Sequence, residues 1–133
     1  MPARLRGYPV ALGAALILLG IAGFVPALLT PGPEVHPLAI DTPHDQLFGL
    51  FPVSALDNVF HILLGAWGFV AARSRQRTVL YARATTAVFA LLTVLGFVPF
   101  SDAFPLYGND IWLHAMMTLV AAYFGWVHRA PPA

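Results

Sequence analysis

The chain has 133 residues, of which 59% are hydrophobic and 10% are charged, whereas an average soluble domain carries about 25% charged residues. The formal net charge is +1, and no cysteine is present, which excludes disulfides, thiolate metal sites and thiol catalysis. We therefore expect a single membrane domain over residues 1–133, with the lipid bilayer as its main partner.

Four apolar stretches are long enough to cross a bilayer, which requires about 20 helical residues rising about 1.5 Å each. They cover about residues 8–29, 54–72, 79–99 and 109–127. Helices are the expected structure because backbone polar groups in lipid must be satisfied within their own segment. A cleaved signal peptide is the alternative for the first stretch, with Arg4 and Arg6 as its basic region. The length of that stretch favours a retained span.

The charged residues are segregated along the chain. All basic residues are arginines that flank one side of the predicted spans: Arg4, Arg6, Arg73, Arg75, Arg77, Arg83 and Arg129. All acidic residues fall on the other side: Glu34, Asp41, Asp45, Asp57, Asp102 and Asp110. The positive-inside rule then predicts a multi-pass protein of a bacterial inner membrane with both termini cytoplasmic. We interpret the arginines as topology determinants, with no nucleic acid as partner.

The first outer loop, residues 30–53, is long and rich in proline. Its segment Leu47–Phe51 is apolar but too short to span, so we expect it at the outer interface or folded over the mouth of the bundle. His36 and His44 could bind metal with the neighbouring acids, although a solvated loop is the expected state. Aromatic residues near the span ends are expected to anchor at the membrane interfaces: Tyr8, Tyr81, Tyr123 and Trp126 inside, Tyr107 and Trp112 outside.

A cassette occurs twice, as Phe-Pro followed by an aspartate and then by a histidine nine residues after the proline. Its members are Phe51-Pro52, Asp57 and His61 in the first copy and Phe104-Pro105, Asp110 and His114 in the second. Gly-Phe-Val-Pro also closes the first and third spans. We predict an all-α membrane protein, a four-transmembrane-helix bundle made of two parallel helical-hairpin repeats.

Each aspartate–histidine pair is spaced four residues apart and therefore lies on one helix face. Ionisable groups at this depth usually point into the bundle. A purely structural interpretation has Asp57 and Asp110 capping their helices while His61 and His114 form interhelical hydrogen bonds. Three functional interpretations remain open: a haem or metal site, a proton relay or cation site, and a pocket for a lipid or quinone head group.

The run Asp57–Gly65 resembles a bacterial family of four-helix integral membrane proteins catalogued as a domain of unknown function. That family carries an N-x-x-H-x-x-x-G motif in its second span, matched here by Asn58, His61 and Gly65. Further likeness lies in Leu47–Val53, in Tyr81-Ala82-Arg83 and in a weaker cassette over Asn109–His114. The fourth span departs from the pattern at Met116, Met117 and Thr118. The resemblance implies a small integral membrane protein and no established activity.

No catalytic motif is present, so we assign no catalytic residue and expect no enzyme. A structural, accessory or binding component of the membrane is the favoured function, in a larger membrane complex or as a homo-oligomer. We expect no cofactor in that case. The alternative is a redox or metal protein that holds one b-type haem or metal ion between His61 and His114, with Asp57 and Asp110 bonded to the far ring nitrogens.

Overall fold

The computed structural model describes residues 2–31, 45–98, 105–106 and 108–128. Its helices are α1 (Ala3–Ala22), α2 (Ala55–Ala71), α3 (Arg75–Leu95) and α4 (Asn109–Ala122), and α4 continues as a π-helical turn over Tyr123–Val127. With this turn counted, α1, α3 and α4 are each long and apolar enough to cross a membrane, and α2 is a shorter apolar helix. The described part of the chain is thus mainly helical and suited to a bilayer. Several residues singled out from the sequence lie outside the described residues: Glu34, His36, Asp41, His44, Asp102, Phe104, Tyr107 and Arg129.

The helices begin and end at residues that differ from the predicted spans. Helix α1 begins at Ala3 and ends at Ala22, where the first span was predicted over 8–29. The chain then leaves the helix through a 3-10 turn that has Pro26 at its start. Helix α3 begins in the arginine-rich connection because the Ser74 hydroxyl accepts a hydrogen bond from the Arg77 backbone N–H, at 3.2 Å.

Two helical hairpins build the bundle. Helix α1 packs chiefly on α2, α3 packs chiefly on α4, and α3 also contacts both α1 and α2. Helix α4 has no comparable contact with α1 or α2. The starts of α1 and α3 and the end of α4 therefore share one end of the bundle, which we call the arginine end. The starts of α2 and α4, with Asp57 and Asp110, form the opposite end, which we call the acidic end.

Glycines set the close approach of α1 and α2. A Cβ atom placed on Gly65 would meet the Gly13 carbonyl oxygen at 2.6 Å, and one placed on Gly13 would meet the Gly65 carbonyl oxygen at 2.6 Å. Small residues of this kind let helix backbones touch in lipid, where van der Waals packing drives association. The Gly13–Gly20 row faces α2, whereas Ala11 and Ala15 on the same helix are exposed.

Tyr8 and Tyr81 belong to the core, so the prediction that they anchor at the membrane interface is wrong. Tyr81 is fully buried, and its hydroxyl donates to the Leu64 carbonyl oxygen at 2.9 Å. The Tyr8 hydroxyl is paired with the Thr85 hydroxyl, also at 2.9 Å. A partner inside the protein satisfies each phenol, so neither needs the interface. Other predicted anchors are exposed, as expected: Trp112, Tyr123 and Trp126.

Threonine hydroxyls inside the helices bond to their own helix backbone. Thr86 and Thr93 of α3 donate to the carbonyl oxygens of Ala82 and Phe89, each at 2.7 Å. Thr118 of α4 donates in the same way to the His114 carbonyl oxygen, at 2.8 Å. Such bonds let a hydroxyl reside in an apolar helix without a partner on another helix.

Arg83 stabilises the arginine end by contacts as well as by charge. Its Nε donates to the Gly125 carbonyl oxygen at 2.9 Å, and its guanidinium carbon lies 5.3 Å from the centre of the Trp126 ring. Carbonyl oxygens at a helix C-terminus have no partner within the helix and require one from elsewhere. Arg83 therefore ties the start of α3 to the end of α4, beyond the topological role predicted for it.

A small three-stranded antiparallel sheet covers the acidic end, and we call it the lid. Its strands are β1 (Leu29–Thr30), β2 (Gln46–Leu47) and β3 (Phe51–Pro52), in the order β1-β2-β3. The β2–β3 turn has positive φ at Phe48 (55°) and Gly49 (71°). The apolar segment Leu47–Phe51 was predicted either at the outer interface or folded over the mouth of the bundle. In the structure it lies over the mouth. Two-residue strands carry no recognisable alternation, so the sequence did not predict the sheet.

Candidate functional site

A polar pocket lies between α2 and α4 at the acidic end, where these two helices leave a gap. Helix α2 contributes Asp57, Asn58 and His61, and α4 contributes Asp110 and His114. The remaining walls are apolar and come from α1, α4 and the lid: Leu19, Leu113, Met117, Leu47, Phe51, Pro52 and Val53. The first turns of two helices thus bring five polar side chains under one apolar cover.

The two histidines predicted as a pair line this one pocket. Their ring centres are 6.5 Å apart, with the ring planes inclined at 45°. His114 is only 2% exposed and stacks on Phe89 of α3, with ring centres 5.9 Å apart and planes inclined at 17°. His61 is more accessible, so the two rings differ in their surroundings although they share a cavity.

The Asp57 side chain is buried in the pocket, and helix capping alone does not explain its position. The N-cap is Ser54, whose hydroxyl accepts from the Asp57 backbone N–H at 3.1 Å. The Asp57 carboxyl is 1% exposed, and its Oδ1 atom lies 3.7 Å from His61 Nε2, which exceeds hydrogen-bond distance. That oxygen has no hydrogen-bond partner among the described residues. Capping alone therefore does not account for a carboxyl group buried at this position.

Asp110 is also buried, at 5% exposure, in the first turn of α4. The neighbouring Asn109 connects α4 to the lid, because its Nδ2 donates to the Leu50 carbonyl oxygen at 3.0 Å. Its Oδ1 accepts from Trp112 Nε1 at 2.8 Å. Asn109 thus holds the lid against the helix that carries Asp110 and His114.

Three buried polar atoms of residues that line the pocket have no hydrogen-bond partner within the described residues: Asp57 Oδ1, Asn58 Oδ1 and His114 Nδ1. A carboxylate or amide oxygen accepts hydrogen bonds, as does an imidazole nitrogen that carries no proton. An unsatisfied buried polar atom costs about 1–3 kcal/mol, so this concentration at one place requires a complement. The Asn58 amide packs against Gly23, where a Cβ atom would collide with it. The pocket is therefore rich in acceptors, and a donor or a cation would complete it.

The free space in the pocket is small. The cavity has a volume of about 20 Å³, which suits one or two waters or a single small ion. Within the described ranges, no three histidine or acidic side chains converge as a metal-binding group. The two imidazoles line a common space, so a metal ion in this pocket would bind to His61 and His114, and a third ligand from Asp57 or Asp110 would require that side chain to move. A porphyrin does not fit between the rings unless α2 and α4 separate.

The fold and the pocket together define a class: a small, mainly helical protein with helices long and apolar enough to cross a membrane and with an occluded polar site near one end of its bundle. The chain matches the family model described as Domain of unknown function (DUF4383) over residues 6–127, and it belongs to that family. The family predicted from the sequence is thereby confirmed. Comparison with curated proteins and with solved structures gave no match.

Sequence reasoning identified the histidines and aspartates of the pocket but missed several residues that shape it. Phe89, Asn109 and Gly23 act through contacts with distant parts of the chain. Asn109 had a signal in the weaker cassette over Asn109–His114 and Gly23 in the repeated Gly-Phe-Val-Pro run, whereas Phe89 had none. Asp45, one of the acids in the suggested loop metal site, is exposed and does not line the pocket.

Proposed function

We propose that the protein is a binding component of a bacterial inner membrane whose ligand is a small cation or ammonium group held in the polar pocket. The observation that carries this proposal is the set of buried acceptor atoms without partners, Asp57 Oδ1 and His114 Nδ1 above all. Among the described residues, two carboxyls and no arginine line the pocket, which favours a cation over an anion. Its small free volume favours a compact ligand over a quinone ring.

The arginine distribution supports a multi-pass topology with both termini cytoplasmic, so the pocket would open on the outer side. The repeated Phe-Pro…Asp…His cassette supports descent from two parallel helical hairpins. On this view α2 and α4 are equivalent, and each copy brings one aspartate and one histidine to a shared site. The lid, tied to α4 through Asn109, would control access from outside.

The proposal is tested by thermal unfolding of the full chain in detergent, with added ammonium chloride or tetramethylammonium chloride at equal ionic strength. A ligand at 100 times its Kd stabilises a protein by about 2.7 kcal/mol, so we expect ammonium to raise the melting temperature by about 5 °C or more. Tetramethylammonium is too bulky for the pocket and should have no such effect. Asp57→Asn and His114→Leu should abolish the ammonium response.

The matched control is Asp45→Asn, which removes an exposed carboxyl of the same end without touching the pocket. It should keep the full ammonium response. If both salts act alike, or if the pocket variants lower the melting temperature while leaving the response intact, the site has a structural role and no small-cation ligand. Isolation of the protein with a larger membrane complex would then identify an accessory subunit.

A redox or metal protein is the second candidate, and it is supported by the distance of 6.5 Å between the ring centres of His61 and His114 in one pocket. In this case a metal ion would lie between the imidazoles, and Asp57 and Asp110 would neutralise its charge. Metal analysis and an absorption spectrum of the purified protein test it. We expect near-stoichiometric metal that is lost in both His61→Ala and His114→Ala. A Soret band lost in the same two variants would require α2 and α4 to separate around a haem. A colourless, metal-free protein would contradict this candidate.

A further inference from the structure

A second cavity lies at the arginine end, far from the polar pocket, in the gap between α1 and α4. It has a volume of about 430 Å³, and we call it the α1–α4 groove. Its lining is almost entirely apolar and aromatic: Gly7, Tyr8, Ala11, Leu12, Val120, Tyr123 and Phe124, with Arg4 and His128 as its polar members. The volume lies within the range of about 300–1,000 Å³ of small-molecule sites.

Two aromatic rings form the base of the groove. The Tyr8 and Phe124 rings stack with centres 4.7 Å apart, and the Tyr8 hydroxyl is held by Thr85. From Arg4 to Leu12 the groove follows α1 for about 12 Å, at about 1.5 Å per residue, into the apolar part of the bundle. An apolar channel of this length, in a helix pair surrounded by lipid, fits a hydrocarbon chain.

The polar members come from opposite ends of the chain, and both line this groove. Arg4 is exposed and has no acidic partner among the described residues. The His128 ring lies against Tyr123 and Phe124, with ring centres 5.8 Å and 5.6 Å away, and its buried Nε2 has no hydrogen-bond partner in the described ranges. A guanidinium beside an apolar channel complements an anionic head group attached to an acyl chain, and the His128 imidazole adds a donor to the phosphate when its Nε2 carries a proton.

We propose that the α1–α4 groove binds one anionic phospholipid, with an acyl chain between Tyr8 and Val120 and the phosphate against Arg4 and His128. The segregation of arginines at this end supports an anionic occupant over a zwitterionic one. The site is independent of the polar pocket, so its failure or success leaves the proposed cation ligand untouched.

The experiment uses native mass spectrometry of the delipidated full chain, with phosphatidylglycerol or phosphatidylcholine of identical acyl chains added back. We expect one phosphatidylglycerol to be retained at least tenfold more strongly than phosphatidylcholine. Arg4→Gln should weaken retention about fivefold, the factor that corresponds to one surface arginine. Ala11→Phe should fill the groove and remove the preference for phosphatidylglycerol altogether.

Two control variants make the same types of substitution at exposed positions outside the groove. Arg77→Gln removes an exposed arginine of the same end, and Ala66→Phe adds the same ring to an exposed position on α2; both should bind as the wild type does. Equal retention of the two lipids, or full retention by Ala11→Phe, would overturn the proposal. A lipid-free dimer whose formation is blocked by Ala11→Phe would overturn it too, since the occupant would be a second copy. Retention lost in Ala11→Phe but unchanged in Arg4→Gln would exclude the head-group contact.

Discussion

Replacing Phe89 by alanine is expected to lower the free energy of unfolding by about 3–5 kcal/mol, as for other buried aromatic residues. Phe89 is fully buried in α3, where it belongs to the main apolar cluster and stacks on His114. Its loss would leave a cavity that the helices, each anchored by its neighbours, cannot fill. The measurement is denaturant or thermal unfolding of the detergent-solubilised protein.

Leu91→Ala is the matched control, because Leu91 lies on the same helix and is 57% exposed. It should change the stability by well under 1 kcal/mol. The Phe89 variant should also lose the ammonium response proposed for the polar pocket, since His114 would no longer be held in place. Equal melting temperatures for the two variants would show that Phe89 does not support the bundle as described.

Replacing Gly65 by alanine is expected to destabilise the α1–α2 hairpin by about 1–3 kcal/mol. The added methyl group would lie 2.6 Å from the Gly13 carbonyl oxygen, a backbone atom that cannot move without shifting α1. A helix interior normally gains from the change, because alanine has the better helix propensity by about 0.8–1.0 kcal/mol. The steric term must therefore exceed that gain for stability to fall.

Gly7→Ala separates the effect of helix propensity from the steric effect, because a Cβ atom on Gly7 would have nothing within 4 Å. This variant should be as stable as the wild type or slightly more so, while Gly65→Ala melts at a lower temperature. The test is that the two substitutions change the stability in opposite directions, as measured from unfolding curves recorded in one detergent. Should both glycine variants gain stability, α1 and α2 are not in backbone contact at this crossing.

The features of the structure that depend on local sequence pattern could be predicted. Apolar length indicates four helices, and the four-residue spacing of Asp57 and His61 gives them one helix face. The repeat suggested that His61 and His114 could face one another, and the rings line one pocket in the structure. Each of these inferences uses only neighbours in the chain or a comparison of its two halves.

Other features depend on contacts between distant residues and left no local signal. An aromatic residue near a helix end looks the same whether it faces lipid or the core, so Tyr8 and Tyr81 were misassigned. The strands of the lid pair residues on either side of the long first loop and are too short for any periodicity. Helix α3 contacts all three other helices, whereas α2 and α4 have no comparable contact with each other. No pattern within a single segment encodes that arrangement.

The apolar layer beneath the polar pocket has a consequence for transport. Below His114 the described interior is filled by Phe89, Leu64 and Leu16, all in the main apolar cluster. The deeper hydroxyls of Thr86 and Thr118 each donate to a carbonyl oxygen of their own helix. Among the described residues, this apolar layer separates the polar pocket from the arginine end of the bundle. A ligand of the pocket would therefore enter and leave at the acidic end, so a single copy is suited to capture and release rather than to permeation.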